Sequence, residues 1–319
     1  MTKNLRIDLH SHSTSSDGTF SPSELVQLAH SVGIDVLALT DHDTVSGVQE
    51  ASMAAKSLGM TLISGVEISC RHALSGGYGK HQSIDKIIHV VALDMTDLPR
   101  MDKALQALQD SREQRGWQMV QKLGEILAQD EKLTAQVLDA PCFDEADKSS
   151  AASQIRDVLW RAVLQKAGSN AKAVGRAHIG QVLKDVGVVA NVQAAFDKYL
   201  ADGKPAYVAI DAISMADAVR LIHECGGVAV LAHPTRYGLS ATRTRRLIAD
   251  FAMMGGDGCE LPNQEPDSLR AMIDRSIAEH GLKVSVGSDF HGTNMPWRKL
   301  GATAKPKAEQ VPIWQTWDL

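Results

Sequence analysis

Apolar segments of strand length alternate with helical segments in the first third of the chain. The segments LRIDLH, IDVLALTDH, TLISGVEIS and KIIHVVALD are apolar or alternate in polarity and are bounded by polar residues, which is typical of strands. After the first of them, Ser21 caps a predicted helix, Pro22 stands at its first position and Glu24 completes a capping box. Strands return in the last third of the chain, in GGVAVLAHP, GDGCELPN and LKVSVGSDFH.

The pattern between these two groups of strands is helical. Val120, Leu123 and Leu127 recur at the spacing of one helical face. Seven strand-like segments with a helical block inserted after the fourth predict an α/β fold, in which a parallel, barrel-like domain carries a cap. We assign the barrel to residues 1–98 and 206–319, and an inserted helical substrate or cap domain to residues 99–205.

Composition narrows the class of protein only a little. The 319 residues include 33 basic and 38 acidic side chains, a formal net charge of −5, which argues against coating of nucleic acid but allows a local basic pocket. The cysteines are scattered, so a disulfide framework or a cysteine-only zinc site is not expected: Cys70, Cys142, Cys225 and Cys259. Without a long apolar segment or the apolar core of a signal peptide, we expect a cytoplasmic protein with no membrane association and no obligate protein partner.

Histidines and carboxylates collect where the predicted strands end. In DLHSHSTSSDG, alternation along a strand places Asp8, His10 and His12 on one face, and Asp17 follows five positions later. LTDHDT ends the second strand, and Glu67 lies within the third. Six of the twelve histidines lie on or beside apolar strand segments: His10, His12, His42, His89, His233 and His291.

Any one of these histidines could be an ordinary core residue, but burying so many imidazoles and carboxylates together requires partners for their charges. Catalytic groups of parallel α/β barrels lie at the carboxyl ends of the strands, where most of these residues fall. Nitrogen and oxygen ligands without thiolate suit zinc, manganese or iron. The number of carboxylates among the histidines favours more than one ion.

The segments DLHSHSTSSDG, LTDHDT, GVEIS, LAHP and GSDFH together resemble the motifs of the polymerase and histidinol phosphatase (PHP) family. The resemblance implies a distorted seven-stranded (β/α) barrel and a centre of two or three divalent ions that hydrolyses phosphoesters, with manganese as the expected metal and iron or zinc as alternatives. It implies one ion at His10, His12, Glu67 and Asp289. It also implies that Glu67 bridges to a second ion at His89 and His233, and that a third is held by Asp17, His42 and His291.

For one of the implied ligands, His89, the predicted insert offers an alternative. The segment RAHIG places His178 there, and either His89 or His178 could complete the second ion's site. We prefer His89, because a barrel strand holds a side chain more rigidly than a cap helix does. His178 is then a candidate substrate contact or proton donor.

The insert also resembles that of PHP members that act on nucleotides, through GRAHIG and KYLADGKPAYV. That resemblance implies hydrolysis of the 3′-phosphate of nucleoside 3′,5′-bisphosphates, for example adenosine 3′,5′-bisphosphate to AMP, with 5′→3′ trimming of short RNA as a further activity. The hypothesis for the reaction is attack of a metal-bound hydroxide on phosphorus. The residues assigned to catalysis are Asp17, His42, His178 and His233.

A substrate with two phosphates also needs cations away from the metal ions. Arg112 and Arg115 are three residues apart, so a helix places them on one face, and guanidinium groups suit phosphate. Further candidates for substrate binding are Arg176, His178, Lys204 and Arg236, and candidates for stacking on a base are Tyr78, Trp117 and Tyr237.

Three alternatives remain open at this point. The first is a phosphatase for another small phosphate monoester, such as histidinol phosphate. The second is a metal-dependent amidohydrolase that acts on C–N bonds, although no strand offers an evident lysine for carbamylation. The third is a non-enzymatic metal-binding or nucleic-acid-binding module with a degenerate site.

Overall fold

The computed structural model describes residues 5–75, 83–138, 148–317 and 319. The chain divides into two compact units, one made of Met1–Leu105 with Ala212–Leu319 and the other of Gln106–Asp211. That the inserted segment serves as a substrate domain stays a prediction.

The first unit is built on a single sheet. Within the described residues its strands are β1 Ile7–Asp8, β2 Val36–Leu39, β3 Thr61–Leu74, β4 Ile84–Leu93, β5 Ile213–Ser214, β6 Val228–Leu231, β7 Gly258–Glu260 and β8 Lys283–Ser285. Seven of them follow one another across the sheet in the order β1-β2-β3-β4-β6-β7-β8, and β5 pairs beside β3. The predicted α/β fold is confirmed; the sheet has eight strands among the described residues, because the short β5 joins the seven that were predicted.

The expected all-parallel pairing is wrong at one strand. β4 runs antiparallel to β3 and to β6, whereas β1-β2-β3 and β6-β7-β8 are parallel. The reason is the short connection: residues 75–83 are too few for the crossover of about a dozen or more residues that a parallel return requires.

Helices surround this sheet and form the second unit. In the described residues they are α1 Pro22–Ser31, α2 Val48–Leu58, α3 Leu98–Leu127, α4 Glu131–Leu138, α5 Lys148–Lys166, α6 Arg176–Asp185, α7 Val192–Ala195, α8 Met215–Glu224, α9 Ala241–Met253 and α10 Asp267–Glu279. None of them combines the length and the apolar composition that a membrane-spanning helix needs.

The start of α1 is determined locally. The hydroxyl of Ser21 accepts a hydrogen bond from the backbone N of Glu24 at 3.2 Å, and the Glu24 carboxylate accepts one from the backbone N of Ser21 at 2.8 Å. The predicted capping box is therefore confirmed. Leu25 and Val26 of this helix belong to one apolar cluster with Leu37 of β2, which holds α1 against the sheet.

The second unit has an apolar core of its own. Val120, Leu123 and Leu127 of α3 are fully buried there with Ile155 and Leu159 of α5. The helical face predicted from the spacing of these α3 residues is confirmed.

Candidate metal centre

Backbone hydrogen bonds beyond the strand ends bring the chemical groups together. The backbone N of Asp289 donates to the carbonyl of His10, and that of His12 donates to the carbonyl of Phe290, both at 2.9 Å. On the other side, Thr40 donates to the carbonyl of Ser11 at 2.9 Å. The segment after β1 is thereby held between the segments that follow β2 and β8. His10 and His12 are consequently fixed and buried.

Glu67, buried in β3, lies at the centre of the cluster. Its Oε1 is 2.9 Å from Nδ1 of His89 and 2.8 Å from Nε2 of His233. Its Oε2 is 3.0 Å from Nδ1 of His42. Oxygen atoms of one carboxylate thus face different groups of imidazoles, which is the arrangement a carboxylate needs to join two cations.

His10, His12, Glu67 and Asp289 form the first group of possible ligands. Nε2 of His10 and Nε2 of His12 each lie 3.3 Å from Oε2 of Glu67. The same two nitrogens lie 3.5 Å and 3.2 Å from Oδ1 of Asp289. The structure therefore places together the four residues that the family resemblance implies for one ion.

A second group surrounds Asp17. Its Oδ1 is 3.4 Å from Nε2 of His291, 3.9 Å from Nε2 of His42 and 4.0 Å from Nδ1 of His12. The donor atoms of these four residues all lie within 4.8 Å of one another. A third such group consists of His42, Glu67 and His89. His42 thus takes part in two groups, whereas His233 joins the cluster through Glu67.

The donor set fits divalent cations. Among the described residues, Nε2 of His10, Nε2 of His12 and Oε2 of Glu67 are buried without a hydrogen-bond partner, although buried polar atoms normally have one. A neutral imidazole nitrogen and a carboxylate oxygen both present lone pairs and need a cation or a proton between them. Imidazole and carboxylate ligands without thiolate suit zinc, manganese or iron.

The charges of the cluster are mutually dependent. Burial opposes ionisation of Glu67, but the nearby imidazoles, His89 foremost, hold its pKa well below the usual value. Burial lowers the pKa of His12, but the carboxylates of Asp289 and Glu67, 3.2 Å and 3.3 Å from its Nε2, outweigh that effect and raise the pKa to about 9. Protons on His10 and His12, whose pKa values are both raised, therefore balance the carboxylates in the metal-free chain, and metal binding must displace them. Burial lowers the pKa of His233 and of His291 instead.

Glu260, at the end of β7, was not among the candidates from the sequence. Its Oε2 lies 2.9 Å from Nδ1 of His10 and accepts a hydrogen bond from the backbone N of His233 at 3.2 Å. A signal for it existed, because GDGCELPN places this carboxylate at the end of an apolar strand, as GVEIS does for Glu67.

Two arginines hold the outer oxygen of Asp289. Nη1 of Arg236 and Nη1 of Arg298 both pair with Oδ2, the latter at 2.7 Å. Arg236 was a sequence candidate for substrate binding, whereas Arg298 was not. Tyr237, a candidate for base stacking, donates its hydroxyl to the carbonyl of Ala232 at 2.9 Å and so is tied to the backbone.

The remaining candidates lie in the second unit, apart from Tyr78, which falls outside the described residues. Arg112 is buried, and Nε of Arg115 donates to the carbonyl of Val208 at 2.8 Å. The guanidinium of Arg176 lies 5.5 Å from the centre of the Phe196 ring. The other three candidates are placed as follows: Nδ1 of His178 accepts from the backbone N of Gly175 at 3.2 Å, Lys204 is exposed, and Trp117 packs edge-on against Trp160.

Comparison with known proteins gives consistent similarities. Residues 8–134 match the PHP domain. The chain is 36% identical to a 5′-3′ exoribonuclease of Haemophilus influenzae, over 99% of this chain and 99% of that protein. It is 34% identical to a 3′,5′-nucleoside bisphosphate phosphatase of Chromobacterium violaceum, over 97% of this chain and 95% of that protein.

Two solved structures also resemble this chain over nearly its whole length. A structure from Chromobacterium violaceum, described as an amidohydrolase with bound sulfate and no metal, superposes with a TM-score of 0.77 at 31% identity, covering 97% of this chain and 95% of that one. A metal-dependent phosphoesterase of Bifidobacterium adolescentis superposes with a TM-score of 0.69 at 26% identity, covering 96% and 92%.

The fold, the clustered ligand atoms and these similarities define an enzyme, a metal-dependent phosphoesterase. The chain belongs to the PHP-domain family. The predictions of family and of enzymatic activity are confirmed, and the non-enzymatic alternative does not hold. The assignment of individual ligands and catalytic roles stays a prediction.

Proposed function

We propose that this chain removes the 3′-phosphate of nucleoside 3′,5′-bisphosphates, converting adenosine 3′,5′-bisphosphate to AMP. The observation that carries the proposal is the cluster of imidazole and carboxylate atoms around Glu67, which suits cations that bind a phosphoryl group. The substrate class is supported by the bisphosphate phosphatase of Chromobacterium violaceum, which matches over nearly the whole chain.

The proposed ligands are the nine residues that the sequence motifs indicate: His10, His12, Asp17, His42, Glu67, His89, His233, Asp289 and His291. Two or three divalent ions bound there would neutralise charge on the phosphoryl oxygens and activate water. Manganese is the proposed metal, with iron or zinc as the alternatives, because the ligand types accept all three. The predicted cytoplasmic location stays a prediction.

The chain's own residues have separable tasks in this proposal. Glu67 joins the ion sites, since its two oxygens face different imidazoles. His233 acts as a ligand rather than as the proton donor, because its Nε2 is directed at Glu67 at 2.8 Å. Protonation of the departing 3′-oxygen is then left to His178 or to water. Asp17 and His42 would hold an ion together with His291.

The proposed contacts to the rest of the substrate come from basic side chains. Arg112, Arg115, Arg176 and Lys204 of the second unit are candidates for phosphate binding. Arg236 of the first unit is another, and it lies next to Asp289.

A second activity, 5′→3′ trimming of short RNA, is a specific candidate because the Haemophilus influenzae relative is a 5′-3′ exoribonuclease. Both activities hydrolyse a phosphoester of a ribonucleotide, so one metal centre could serve both. Short 5′-phosphorylated oligoribonucleotides would test it directly.

The deciding experiment measures phosphate release from adenosine 3′,5′-bisphosphate with the manganese-loaded protein. The panel includes adenosine 3′-monophosphate, adenosine 5′-monophosphate, histidinol phosphate and simple amides, since one structural relative is described as an amidohydrolase. We expect the highest kcat/KM for the bisphosphate. Faster cleavage of histidinol phosphate or of an amide would reject the proposal.

A further inference from the structure

A small cavity opens beside the candidate metal centre, within the first unit. Its volume is about 180 Å³, and its lining includes Arg236, Glu265, Ser288, Arg298 and Lys299. Pockets that hold a whole drug-sized ligand are larger, about 300–1,000 Å³. This cavity therefore suits one charged group of a larger molecule rather than a complete nucleotide.

Two residues that line the cavity, Arg236 and Arg298, both pair with Asp289 of the candidate metal centre. Oδ1 of Asp289 faces His12 at 3.2 Å, while Oδ2 on the other side pairs with Arg236 and Arg298. A group bound in the cavity would thus lie one carboxylate away from the ions.

The charge of the lining favours an anion. It includes three cations, Arg236, Arg298 and Lys299, and a single carboxylate, Glu265, which accepts a hydrogen bond from the Thr235 hydroxyl at 3.3 Å. Lys299 is exposed and forms no ion pair within the part of the chain that the structure describes.

An unused hydrogen-bonding group points the same way. Nε of Arg298 is buried and has no hydrogen-bond partner among the described residues. Buried donors of this kind normally have a partner. An anionic oxygen in the cavity would supply an acceptor to it.

We propose that this cavity binds the phosphate that is not hydrolysed, the 5′-phosphate of a 3′,5′-bisphosphate, through Arg236, Arg298 and Lys299. The inference rests on the proposed function, because only a substrate with a second phosphate needs such a site. In this proposal residues of the first unit bind the 5′-phosphate, whereas the sequence suggests Arg112 and Arg115 for that role. Guanidinium and ammonium groups bind phosphate through charge-assisted hydrogen bonds.

The test compares two substrates that differ only in the 5′-phosphate, adenosine 3′,5′-bisphosphate and adenosine 3′-monophosphate. We expect Lys299→Gln and Arg298→Gln each to reduce the ratio of kcat/KM for the bisphosphate to kcat/KM for the 3′-monophosphate by about tenfold. The reduction should arise from a higher KM for the bisphosphate, because each variant loses one hydrogen bond to a charged group. Lys56→Gln, an equal change of charge at an exposed position of α2, is the control and should leave the ratio unchanged. Metal content and the unfolding midpoint are measured for every variant.

The outcomes separate the two proposals. A wild-type protein that does not prefer the bisphosphate would overturn both. A preference that is kept in both cavity variants would overturn only the cavity assignment. Equal losses of kcat on both substrates would also overturn it, because the cations would then act on the phosphate being hydrolysed.

Discussion

The carboxylate of Glu260 lies 2.9 Å from Nδ1 of His10, although 250 residues separate the two in sequence. The same oxygen accepts a hydrogen bond from the backbone N of His233, whose φ of +26° lies in the left-handed region. One buried oxygen thus fixes the ring of one candidate ligand and the backbone of another. With Nδ1 of His10 directed at Glu260, its Nε2 is left to face Glu67 and Asp289. Carboxylates commonly orient metal-binding histidines in this way.

Removing that carboxylate should weaken metal binding. We expect Glu260→Ala to lower the affinity for manganese about 10- to 100-fold, the usual effect of losing such an orienting group. Glu260→Gln keeps an oxygen acceptor and should recover most of the loss. Titration of the metal-free variants with manganese measures the affinity. Glu279→Ala, at an exposed position at the end of α10, is the control. Equal affinity in the Ala variant and the wild type would remove Glu260 from this role.

Much of the candidate site could be predicted because strand geometry is readable from the sequence. Alternation places His10 and His12 on one face, and a carboxylate within apolar residues, as Glu67 is, signals a buried charge that needs partners. Glu260 carries the same signal and could have been found by the same rule.

Other features depend on contacts between distant segments. Nothing in the spacing of Arg298 indicates that it pairs with Asp289, because side chains from separate loops meet only after the sheet has curled. Strand direction is also not contained in an apolar pattern. The antiparallel β4 was missed because its pattern resembles that of a parallel strand, although the short connection before it was a usable signal.

Replacing Asp289 should remove both metal and activity. Its Oδ1 faces His10 and His12, and its loss would leave these imidazoles without their second carboxylate. We expect Asp289→Ala to lose bound metal and all measurable phosphatase activity, as determined by elemental analysis and phosphate release. Asp85→Ala, at an exposed position of β4, serves as the matched control. Full activity in the Asp289 variant would refute its assignment as a ligand.

Two variants distinguish His89 from His178. Nδ1 of His89 lies 2.9 Å from Glu67, whereas Nδ1 of His178 accepts the backbone N–H of Gly175 at the start of α6. His89→Ala should therefore reduce the number of metal ions bound per chain. His178→Ala should keep the metal and lose only about 0.5–1.5 kcal/mol of stability, the net value of a typical hydrogen bond. Metal loss in the His178 variant alone would reverse the assignment.

Arg112 and Arg115 provide a competing site for the second phosphate. They lie three residues apart in α3 and hence on one face of that helix. If they bind the 5′-phosphate, Arg112→Gln with Arg115→Gln should raise KM for adenosine 3′,5′-bisphosphate far more than for an aryl phosphate. Because Arg112 is buried, the unfolding midpoint of the double variant must be measured alongside. Equal losses on both substrates would eliminate the specificity role.

The metal-free protein should become less stable as pH rises through the neutral range. Burial lowers the pKa of His12, but the nearby carboxylates of Asp289 and Glu67 raise it to about 9 from the ordinary 6.5. A pKa raised on folding stabilises the protein fully below about pH 6.5, and the contribution is lost as pH rises through about 9. The unfolding midpoint of the metal-free protein should thus decrease as pH is raised from about 6.5 to about 9. This decrease should be smaller in His12→Ala. Bound metal takes the place of the protons, so the loaded protein should show little change over the same range and should release protons on loading. A midpoint that rises with pH in the metal-free wild type would contradict this account of the charges.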